Sequence, residues 1–272
     1  MVVFPNAKIN IGLEILDLRP DGFHNIRTTM VGVDWCDILE IVPGMEGHDV
    51  LHCSGLPVDC APEKNLVIKA VKAIRDCGYN IPPVEVWLHK NIPDGAGLGG
   101  GSSDAAFTLK VLNTLFSLGL TPEELADIAC RLGSDCPYFI YNNPMVATGR
   151  GEILRELDTD SHAFIAEMNH IVIVKPRTIS VATAKAYAMH KPRLDFVRTE
   201  YYNDFEDGVF RLYPRLGEMK SMLKDPLGAF YASMSGSGSA IFGLFKELPE
   251  NTSELSDLFP DCFIHVGKLL LS

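Results

Sequence analysis

The sequence predicts an α+β fold, because segments of strand periodicity and segments of helix periodicity follow one another along all 272 residues. The observations behind this prediction are an alternating segment near the N-terminus, a helix-period segment after Asn65, and short apolar segments later in the chain. Hydrophobic residues make up 47% of the chain and charged residues 22%, as in globular proteins. A chain of this length can bury a sizeable core without disulfides or metals.

The first part of the chain is rich in predicted strands. Residues 7–16 alternate strictly, which places large apolar side chains on one face and Lys8 and Asn10 together on the other. We expect this second face to point away from the core. A turn at residues 19–22, Arg-Pro-Asp-Gly, leads into the next strand. Further strands are predicted at residues 26–33, 38–42 and 84–88.

The remaining elements alternate between helices and strands. Asn65 can cap a helix whose apolar stripe is Leu66, Ala70, Val71 and Ile74. Further helices are predicted at residues 105–116, 122–133, 181–189 and 213–223, and strands at residues 171–174, 240–245 and 263–271. Residues 143–170 show weak periodicity, so we place a domain boundary near Thr159 and expect domains at residues 1–158 and 159–272.

Charge and cysteine usage exclude several classes of protein. The chain has 24 Lys and Arg against 35 Asp and Glu, a formal net charge of −11, which argues against a partner that is nucleic acid or an anionic membrane. The first residues lack signal-peptide features, and no apolar segment approaches the roughly 20 residues that span a bilayer. The seven cysteines form no C-x-x-C pair, so we expect reduced thiols, no metal site built from protein ligands such as a zinc ribbon, and a cytoplasmic location.

A glycine-rich segment holds most of the functional information. Residues 91–104 contain five glycines and two serines between a predicted strand and a predicted helix. Such a segment offers backbone N–H groups to an anion, and the following helix N-terminus adds the positive end of its dipole. Ser102 and Ser103 can cap that helix or offer hydroxyls to phosphate or Mg²⁺. A simple turn would need only two or three glycines, so we interpret the segment as a phosphate site.

Two other phosphate-binding patterns do not fit. Gly95, Gly97 and Gly100 match the spacing of the dinucleotide fingerprint, but residues 121–124 begin a helix where a second strand ending in an acidic residue should stand. A Walker A loop would close with Gly-Lys-Ser or Gly-Lys-Thr, which the segment lacks. Neither a dehydrogenase nor a P-loop enzyme is therefore expected.

Residues 93–106, PDGAGLGGGSSDAA, resemble the central signature of the GHMP kinases, which include galactokinase and the homoserine and mevalonate kinases. Two further motifs occur where that family has them: the strand Ala-Lys-Ile-Asn at residues 7–10 and a second glycine-rich segment at residues 234–239. The resemblance covers nearly the whole chain. It implies a two-lobed fold, with a lobe like ribosomal protein S5, a ferredoxin-like C-terminal lobe and the active site between them.

Three local sequences resemble one branch of that family more narrowly. They are Pro5 to Asn10, Arg19 to His24, and Gly133 to Pro137. The branch phosphorylates the 2-hydroxyl of 4-diphosphocytidyl-2-C-methyl-D-erythritol with ATP, in the non-mevalonate route of isoprenoid biosynthesis. The resemblance therefore implies these two small-molecule substrates, with no protein partner required.

The resemblance also implies the catalytic residues. Asp135 is expected to act as general base, and Lys8 to attract phosphate and favour the ionised forms of Asp135 and of the substrate hydroxyl. Mg²⁺ is expected with the nucleotide, because Lys90 is the cation nearest to the glycine loop and the loop itself carries none.

The binding residues are implied by the same motifs. Asn65 matches a position that contacts adenine, although its role as a helix cap is an open alternative. Phe23 and His24 stand where the family has Tyr-His against cytosine, and Phe23 keeps the stacking plane but lacks the hydroxyl. The triphosphate is expected on Pro93, Asp94, Gly95, Ala96, Gly97, Leu98, Gly99, Gly100, Gly101, Ser102 and Ser103, and the second substrate also on Asn10, Gly236 and Gly238.

Two other functions stay open. One keeps the fold but phosphorylates another alcohol, such as homoserine or a mevalonate-like acid, which would give Phe23 and His24 nothing to stack on. The other is a regulatory protein that binds a nucleotide or sugar without catalysis, and the retention of Lys8 and Asp135 argues against it.

Overall fold

The computed structural model of the chain describes residues 1–58, 60–190, 201–249 and 252–271. The strands are β1 Val2–Val3, β2 Asn6–Leu18, β3 His24–Cys36, β4 Ile38–Pro43, β5 Val50–Gly55, β6 Val84–Lys90, β7 Met145–Gly149, β8 Ile153–Glu156, β9 His170–Pro176, β10 Tyr231–Met234, β11 Ile241–Phe245 and β12 Cys262–Leu270. The helices are α1 Leu66–Asp76, α2 Gly100–Leu115, α3 Pro122–Cys130, α4 Cys136–Tyr141, α5 Thr159–Ala166, α6 Thr183–Met189, α7 Glu206–Leu212, α8 Pro214–Lys224 and α9 Leu255–Leu258. The mixed α and β content confirms the predicted fold class.

The chain forms two compact units. The first unit comprises Met1–Ala7, Trp35–Asp94 and Gly99–Asn143, and the second comprises Lys8–Asp34, Gly95–Leu98 and Pro144–Ser272. The chain passes between the units within the glycine-rich segment, so residues 95–98 belong to the second unit and the residues on either side to the first. The predicted domains 1–158 and 159–272 stay a prediction.

The first unit is built on a sheet with the strand order β1-β4-β6-β5. The β1/β4 and β4/β6 pairs are antiparallel, whereas β5 and β6 run parallel. Helix α1 begins as predicted, because Asn65 Oδ1 accepts a hydrogen bond from Val67 N at 2.9 Å. Its buried stripe contains Val67 in place of the predicted Leu66, which is half-buried.

Helix α2 begins at Gly100, five residues before the predicted start at residue 105. Gly99 precedes it in the left-handed conformation, with φ of +71°, a backbone state that glycine adopts without a steric penalty. The glycines of the motif therefore lead into the helix and form its first turn. Neither Ser102 nor Ser103 caps it, since both lie inside the first turn.

The second unit contains a sheet with the order β10-β11-β9-β12-β3-β7-β8, and β2 pairs with β3. Helices α6, α7 and α8 contribute to its hydrophobic core, in which Val174, Val209 and Leu216 are fully buried. Residues 143–170, where periodicity is weak, contain β7, β8 and α5. No helix among the described residues is long and apolar enough to cross a membrane.

Strand β2 corrects one sequence prediction. Its apolar face is buried as expected, but Lys8 and Asn10 are also only 3% and 2% exposed, so their face does not point away from the protein. Residues from distant parts of the second unit cover it: Lys8 N donates to Leu98 O at 2.9 Å, and Asn10 N donates to the Ser235 side-chain oxygen Oγ at 3.3 Å. Alternation correctly separated the two faces, but it could not reveal that both are covered.

Candidate active site

The start of α2 forms one wall of a cavity of about 140 Å³ in the first unit. Asn65, Lys90, Asp94, Gly101 and Asp104 are among its lining residues. A helix N-terminus presents unpaired backbone N–H groups and the positive end of the helix dipole, which attract anions. The cavity therefore brings a helix start that can attract an anion together with a largely apolar surface.

A buried charge cluster lies beneath this helix start. Lys90 Nζ donates to Asp104 Oδ2 at 2.7 Å and to Asp37 Oδ2. Asp37 Oδ1 in turn accepts the backbone N–H groups of Asn91 at 2.6 Å and Ile92 at 2.9 Å. The cluster thus links the end of β6 to the first turn of α2.

The charges in this cluster compensate one another. Burial raises the pKa of Asp104 to about 7, although the cation of Lys90 opposes the shift. Burial acts to lower the pKa of Lys90, but the carboxylates of Asp104 and Asp37 outweigh it, and the net shift is upward. Because Lys90 is committed to two carboxylates, the backbone N–H groups of the loop are better placed than this cation to attract phosphate.

Two side-chain oxygens at the helix start have unused hydrogen-bonding capacity. Ser103 Oγ and Asp104 Oδ1 are buried and have no hydrogen-bond partner among the described residues. Unpaired buried polar atoms are costly, and a bound ligand or ion is a common explanation for them.

In the structure Asn65 caps helix α1, which is the role that the sequence leaves open beside a contact with adenine. Its side chain is buried, with 8% exposure, and its oxygen is engaged by the backbone of α1. It nevertheless lines the same cavity as Lys90 and Asp104. Its contact with adenine stays a prediction.

Asp135 stands immediately before α4 and is half-buried. The next residue, Cys136, is buried and hydrogen-bonded to Ser102 of α2, and burial raises the pKa of its thiol to about 12. Gly133 permits this close packing, because a Cβ at that position would lie 3.3 Å from Cys136 Sγ. The segment that carries Asp135 is therefore fixed against the first turn of α2.

In the second unit, Lys8 is held against residues 95–98. Its Nζ donates to Gly97 O at 3.1 Å and to Asn10 Oδ1 at 2.5 Å. Ser235 Oγ donates to the same Gly97 carbonyl at 2.8 Å. Gly97 has φ of +76°, and a Cβ there would lie 2.0 Å from Ser235 O, so only glycine fits.

Asn10 orients Lys8 in this arrangement. Its Oδ1 accepts from Lys8, and its Nδ2 donates to Thr28 Oγ1 at 3.1 Å. Both ends of the carboxamide are therefore engaged within the protein. The predicted contact of Asn10 with the erythritol portion of the substrate stays a prediction.

Phe23 directly precedes β3, and His24 is the first residue of that strand. The His24 ring stacks on Tyr187, with ring centres 5.1 Å apart and planes 9° apart. Phe23 is 53% exposed, and the Arg150 guanidinium lies 5.2 Å from its ring centre. Tyr187 was not predicted as a site residue. The only sequence signal for it is an aromatic residue within the predicted helix 181–189.

The segment Met234–Ser239, which we call the second glycine loop, connects β10 to β11. Gly236 and Gly238 both have positive φ, and a Cβ on Gly236 would lie 3.2 Å from Asn10 Oδ1. Thr183 Oγ1 lies 3.0 Å from Ser237 Oγ, which brings the start of α6 to this loop. Contacts of Gly236 and Gly238 with substrate phosphates stay a prediction.

Comparison with known proteins identifies the family. The family model for "GHMP kinases N terminal domain" matches residues 65–143 of the chain, and the model for "GHMP kinases C terminal" matches residues 193–258. A protein of Porphyromonas gingivalis named 4-diphosphocytidyl-2-C-methyl-D-erythritol kinase is 44% identical over 275 residues, covering 95% of this chain and 97% of that protein. A protein of the same name from Bacteroides thetaiotaomicron is 42% identical, covering 99% of this chain and all of that protein.

Solved structures agree with this assignment. A crystal structure of 4-(cytidine 5'-diphospho)-2C-methyl-D-erythritol kinase is 29% identical, with a TM-score of 0.80 over 99% of both chains. A crystal structure of mevalonate kinase, 15% identical, has a TM-score of 0.72 over the whole of both chains and shows the shared fold. The chain therefore belongs to the GHMP kinase family, and within it is related over nearly its full length to proteins named 4-diphosphocytidyl-2-C-methyl-D-erythritol kinase.

Proposed function

We propose that the chain is an ATP-dependent kinase that phosphorylates the 2-hydroxyl of 4-diphosphocytidyl-2-C-methyl-D-erythritol, in the non-mevalonate route of isoprenoid biosynthesis. The observation that carries this proposal is the identity of 41 to 44% to proteins of that name over nearly their full length. The reaction forms a bond between the substrate oxygen and the γ-phosphorus of ATP, breaks the bond from that phosphorus to the β,γ-bridging oxygen, and releases ADP.

Asp135 is the proposed general base. In phosphoryl transfer the protein mainly positions the reactants and stabilises charge, and a base accepts the proton of the attacking hydroxyl. The fixed position of Asp135 before α4, with the neighbouring Cys136 tied to Ser102, supports this role. A carboxylate on a rigid segment can be held in one orientation toward a hydroxyl.

Lys8 is the proposed cationic partner in the transfer. Its ammonium is buried and held by Asn10 and by the carbonyl of Gly97. A cation held in place within a water-poor site stabilises developing negative charge more strongly than one exposed to solvent. Lys8 would thus favour the ionised substrate hydroxyl and attract the transferring phosphate.

The nucleotide is proposed to bind at the start of α2, with its triphosphate on the backbone of residues 93–103 and its base near Asn65. Mg²⁺ is expected to accompany it. Magnesium prefers oxygen ligands and usually retains waters and phosphate oxygens in its coordination shell. The unpartnered oxygens of Ser103 and Asp104 fit such an ion, which would neutralise phosphate charge when bound.

The cytosine is proposed to bind beside Phe23 and His24, with Tyr187 completing the aromatic surface. Aromatic faces stack on a pyrimidine, and a ring nitrogen of His24 can meet its polar edge. Small aliphatic alcohols offer nothing to this surface, which favours a cytidyl substrate over homoserine or mevalonate. We further expect a cytoplasmic location and no need for a protein partner.

A coupled assay of ADP release tests the proposed function. The purified chain is supplied with ATP and Mg²⁺ together with the cytidyl diphosphate alcohol, homoserine or mevalonate. We expect ADP release with the first alcohol alone. Release with homoserine or mevalonate instead would assign another alcohol to the site, and no release with any of the three would favour a regulatory protein.

A further inference from the structure

Residues 202–206, Tyr-Asn-Asp-Phe-Glu, form a segment that connects several parts of the second unit, and we call it the anchor segment. It runs beside β2, where Leu13 N donates to Tyr202 O at 2.8 Å and Asp204 N donates to Leu13 O at 2.9 Å. Asp204 Oδ2 also accepts the backbone N–H of Ile15 at 2.8 Å. The segment is therefore joined by backbone and side chain to the strand that carries Lys8.

Asn203 joins this segment to the second glycine loop. Its side chain is 0% exposed, and Nδ2 donates to Met234 O at 2.7 Å and to Gly236 O at 2.8 Å. Its Oδ1 accepts from Phe205 N at 2.9 Å, so both ends of the carboxamide are in use. A single side chain thus holds two carbonyls of a loop that lies about 30 residues further along the chain.

Glu206 holds the amide side of the same loop. Its Oε1 accepts from Met234 N at 2.8 Å and from Ser233 Oγ at 3.0 Å. Its Oε2 accepts from Lys220 Nζ at 2.5 Å, which balances the buried charge. The first residue of the second glycine loop is consequently fixed at both its N–H and its C=O.

The second glycine loop is bonded in turn to the residues that surround Lys8. Ser235, one residue beyond Met234, donates to Gly97 O at 2.8 Å and accepts from Asn10 N at 3.3 Å. Lys8 Nζ bonds to the same Gly97 carbonyl and to Asn10 Oδ1. Two residues that hold the Lys8 ammonium, Gly97 and Asn10, are therefore themselves bonded to Ser235.

We propose that Asn203 is a positioning residue for phosphoryl transfer, which fixes the second glycine loop so that Ser235 holds Gly97 and Asn10 in the geometry that Lys8 needs. This inference rests on the proposed function, because it assigns Asn203 to the same reaction. Asn203 is 0% exposed and its carboxamide is engaged by backbone groups, so it acts through the loop and not on the reacting groups. Misplacement of a catalytic group by about 1 Å can cost roughly 100-fold in rate, so the position of the loop matters for turnover.

The carboxamide suits this task in a way that a carboxylate does not. An amide NH₂ group supplies two donors to two carbonyl oxygens, whereas the isosteric carboxylate introduced by Asn203→Asp would set a negative oxygen against them. The other oxygen of that carboxylate could still accept from Phe205 N. Phe205 lies 4.9 Å from Tyr187 between ring centres, so the stack of Tyr187 on His24 should survive the substitution.

The experiment compares Asn203→Asp with Met219→Ala, a cavity-forming control in the core of the same unit. Met219 is fully buried in α8 and belongs to the hydrophobic core. Both variants are assayed at a temperature at which circular dichroism shows them folded. For Asn203→Asp we expect kcat to fall by about 100-fold while KM for the cytidyl alcohol changes less than about three-fold, and for Met219→Ala we expect kcat to stay within about three-fold of the wild type.

Other kinetic results would overturn the inference. It fails if Asn203→Asp retains kcat within about three-fold of the wild type, or if Met219→Ala loses as much kcat, since both indicate a role in stability alone. If Asn203→Asp does not fold, Ser235→Ala tests the same chain of contacts. A fall in kcat of about ten-fold then supports the inference, and an unchanged kcat overturns it.

Hydrogen–deuterium exchange supplies a readout that does not depend on the substrate. We expect faster exchange in peptides that contain residues 95–98 and 234–239 in Asn203→Asp, and unchanged exchange there in Met219→Ala. Unchanged exchange in both would overturn the positioning role. If the wild-type chain releases no ADP with the cytidyl alcohol, the proposed function fails by itself, and the exchange comparison still decides whether Asn203 fixes these two segments.

Discussion

The two glycine-rich segments of the chain are similar in composition and different in use. The first, residues 93–103, runs directly into helix α2, and its last glycines lead into the helix and form its first turn. The second, residues 234–239, connects the antiparallel strands β10 and β11 and is followed by a strand, not by a helix. Of the two, the first segment therefore combines flexible backbone with the dipole of a helix N-terminus.

The serines of the two segments differ in the same way. Ser103 Oγ in the first segment has no partner among the described residues. In the second, Ser235 donates to Gly97 O, Ser237 lies within hydrogen-bond distance of Thr183, and Ser239 donates to Ile179 O at 2.6 Å. Glycine and serine content alone thus does not identify an anion site. The first segment differs from the second in that its glycines lead into a helix and in that Ser103 Oγ is unpartnered, although its neighbour Ser102 is hydrogen-bonded to Cys136.

The largest expected effect is a loss of turnover when Asp135, whose segment packs against the start of α2, is replaced. Asp135→Asn keeps the shape of the side chain but removes the base, so we expect kcat to fall by roughly 10²- to 10⁴-fold with little change in ATP affinity. Steady-state kinetics and nucleotide titration measure the two quantities. Asp127→Asn, on the exposed face of α3, is the matched control and should leave both unchanged. Turnover close to the wild type in Asp135→Asn would rule out this residue as the base.

A comparable loss is expected when Lys8, which the second unit holds against Gly97, is replaced. Lys8→Ala removes the ammonium that bonds to Gly97 O and Asn10 Oδ1, and we expect kcat to fall by roughly 10²- to 10⁴-fold. Lys224→Ala, at the exposed end of α8, serves as the control. If KM alone rises in Lys8→Ala, the residue binds substrate and takes no part in the transfer.

A smaller effect, on stability, is expected from the charges beneath the first segment. Lys90→Met leaves Asp37 and Asp104 buried without their cation, so we expect the free energy of unfolding to fall by about 3 to 5 kcal/mol. Urea denaturation measures the change. The control is Lys69→Met on the exposed side of α1, for which we expect less than about 0.5 kcal/mol. Equal changes in the two variants would mean that the cluster does not stabilise the start of α2.

The smallest expected effect is a loss of stability when Ser239, in the second segment, is replaced. Ser239→Ala leaves the carbonyl of Ile179 without its buried donor, which should lower the free energy of unfolding by about 1 to 2 kcal/mol. Ser221→Ala removes a similar bond to Gly217 O on the exposed side of α8, where water can replace the hydroxyl. We expect the control to change by less than about 0.5 kcal/mol. If Ser221→Ala lowers the free energy of unfolding as much as Ser239→Ala does, then the buried bond of Ser239 has no special role in stabilising the loop.

Local features of the fold could be predicted from the sequence because they depend on neighbouring residues. The alternation of β2, the Asn65 cap of α1 and the strands at residues 171–174 and 240–245 all lie where the pattern places them. The predicted start of α2 is five residues late, because glycines normally oppose a helix and here lead into one. Residues 143–170 have no clear period, yet β7 is specified by its pairing with β3.

The site was predictable where it coincides with a motif and not where it depends on distant contacts. Lys8, Asp135 and the glycine-rich segments were found from sequence alone, although their roles stay predictions. Neither Asn203, just before α7, nor Glu206, its first residue, carries such a signal, because polar and charged residues are normally exposed. Their partners lie about 30 residues further along the chain. Nor could alternation reveal that Lys8 is covered by residues that come much later in the chain.

The bond between Ser235 and Gly97 joins residues 138 positions apart. On the ribosome, β2 is among the first elements made, but the loop that covers its polar face is completed only when residues 234–239 have emerged. A nascent chain therefore contains Lys8 long before it contains the surroundings that orient it. Assembly of the second unit has to wait for this late closure, and a product interrupted before residue 234 would keep the lysine but lack the structure that positions it.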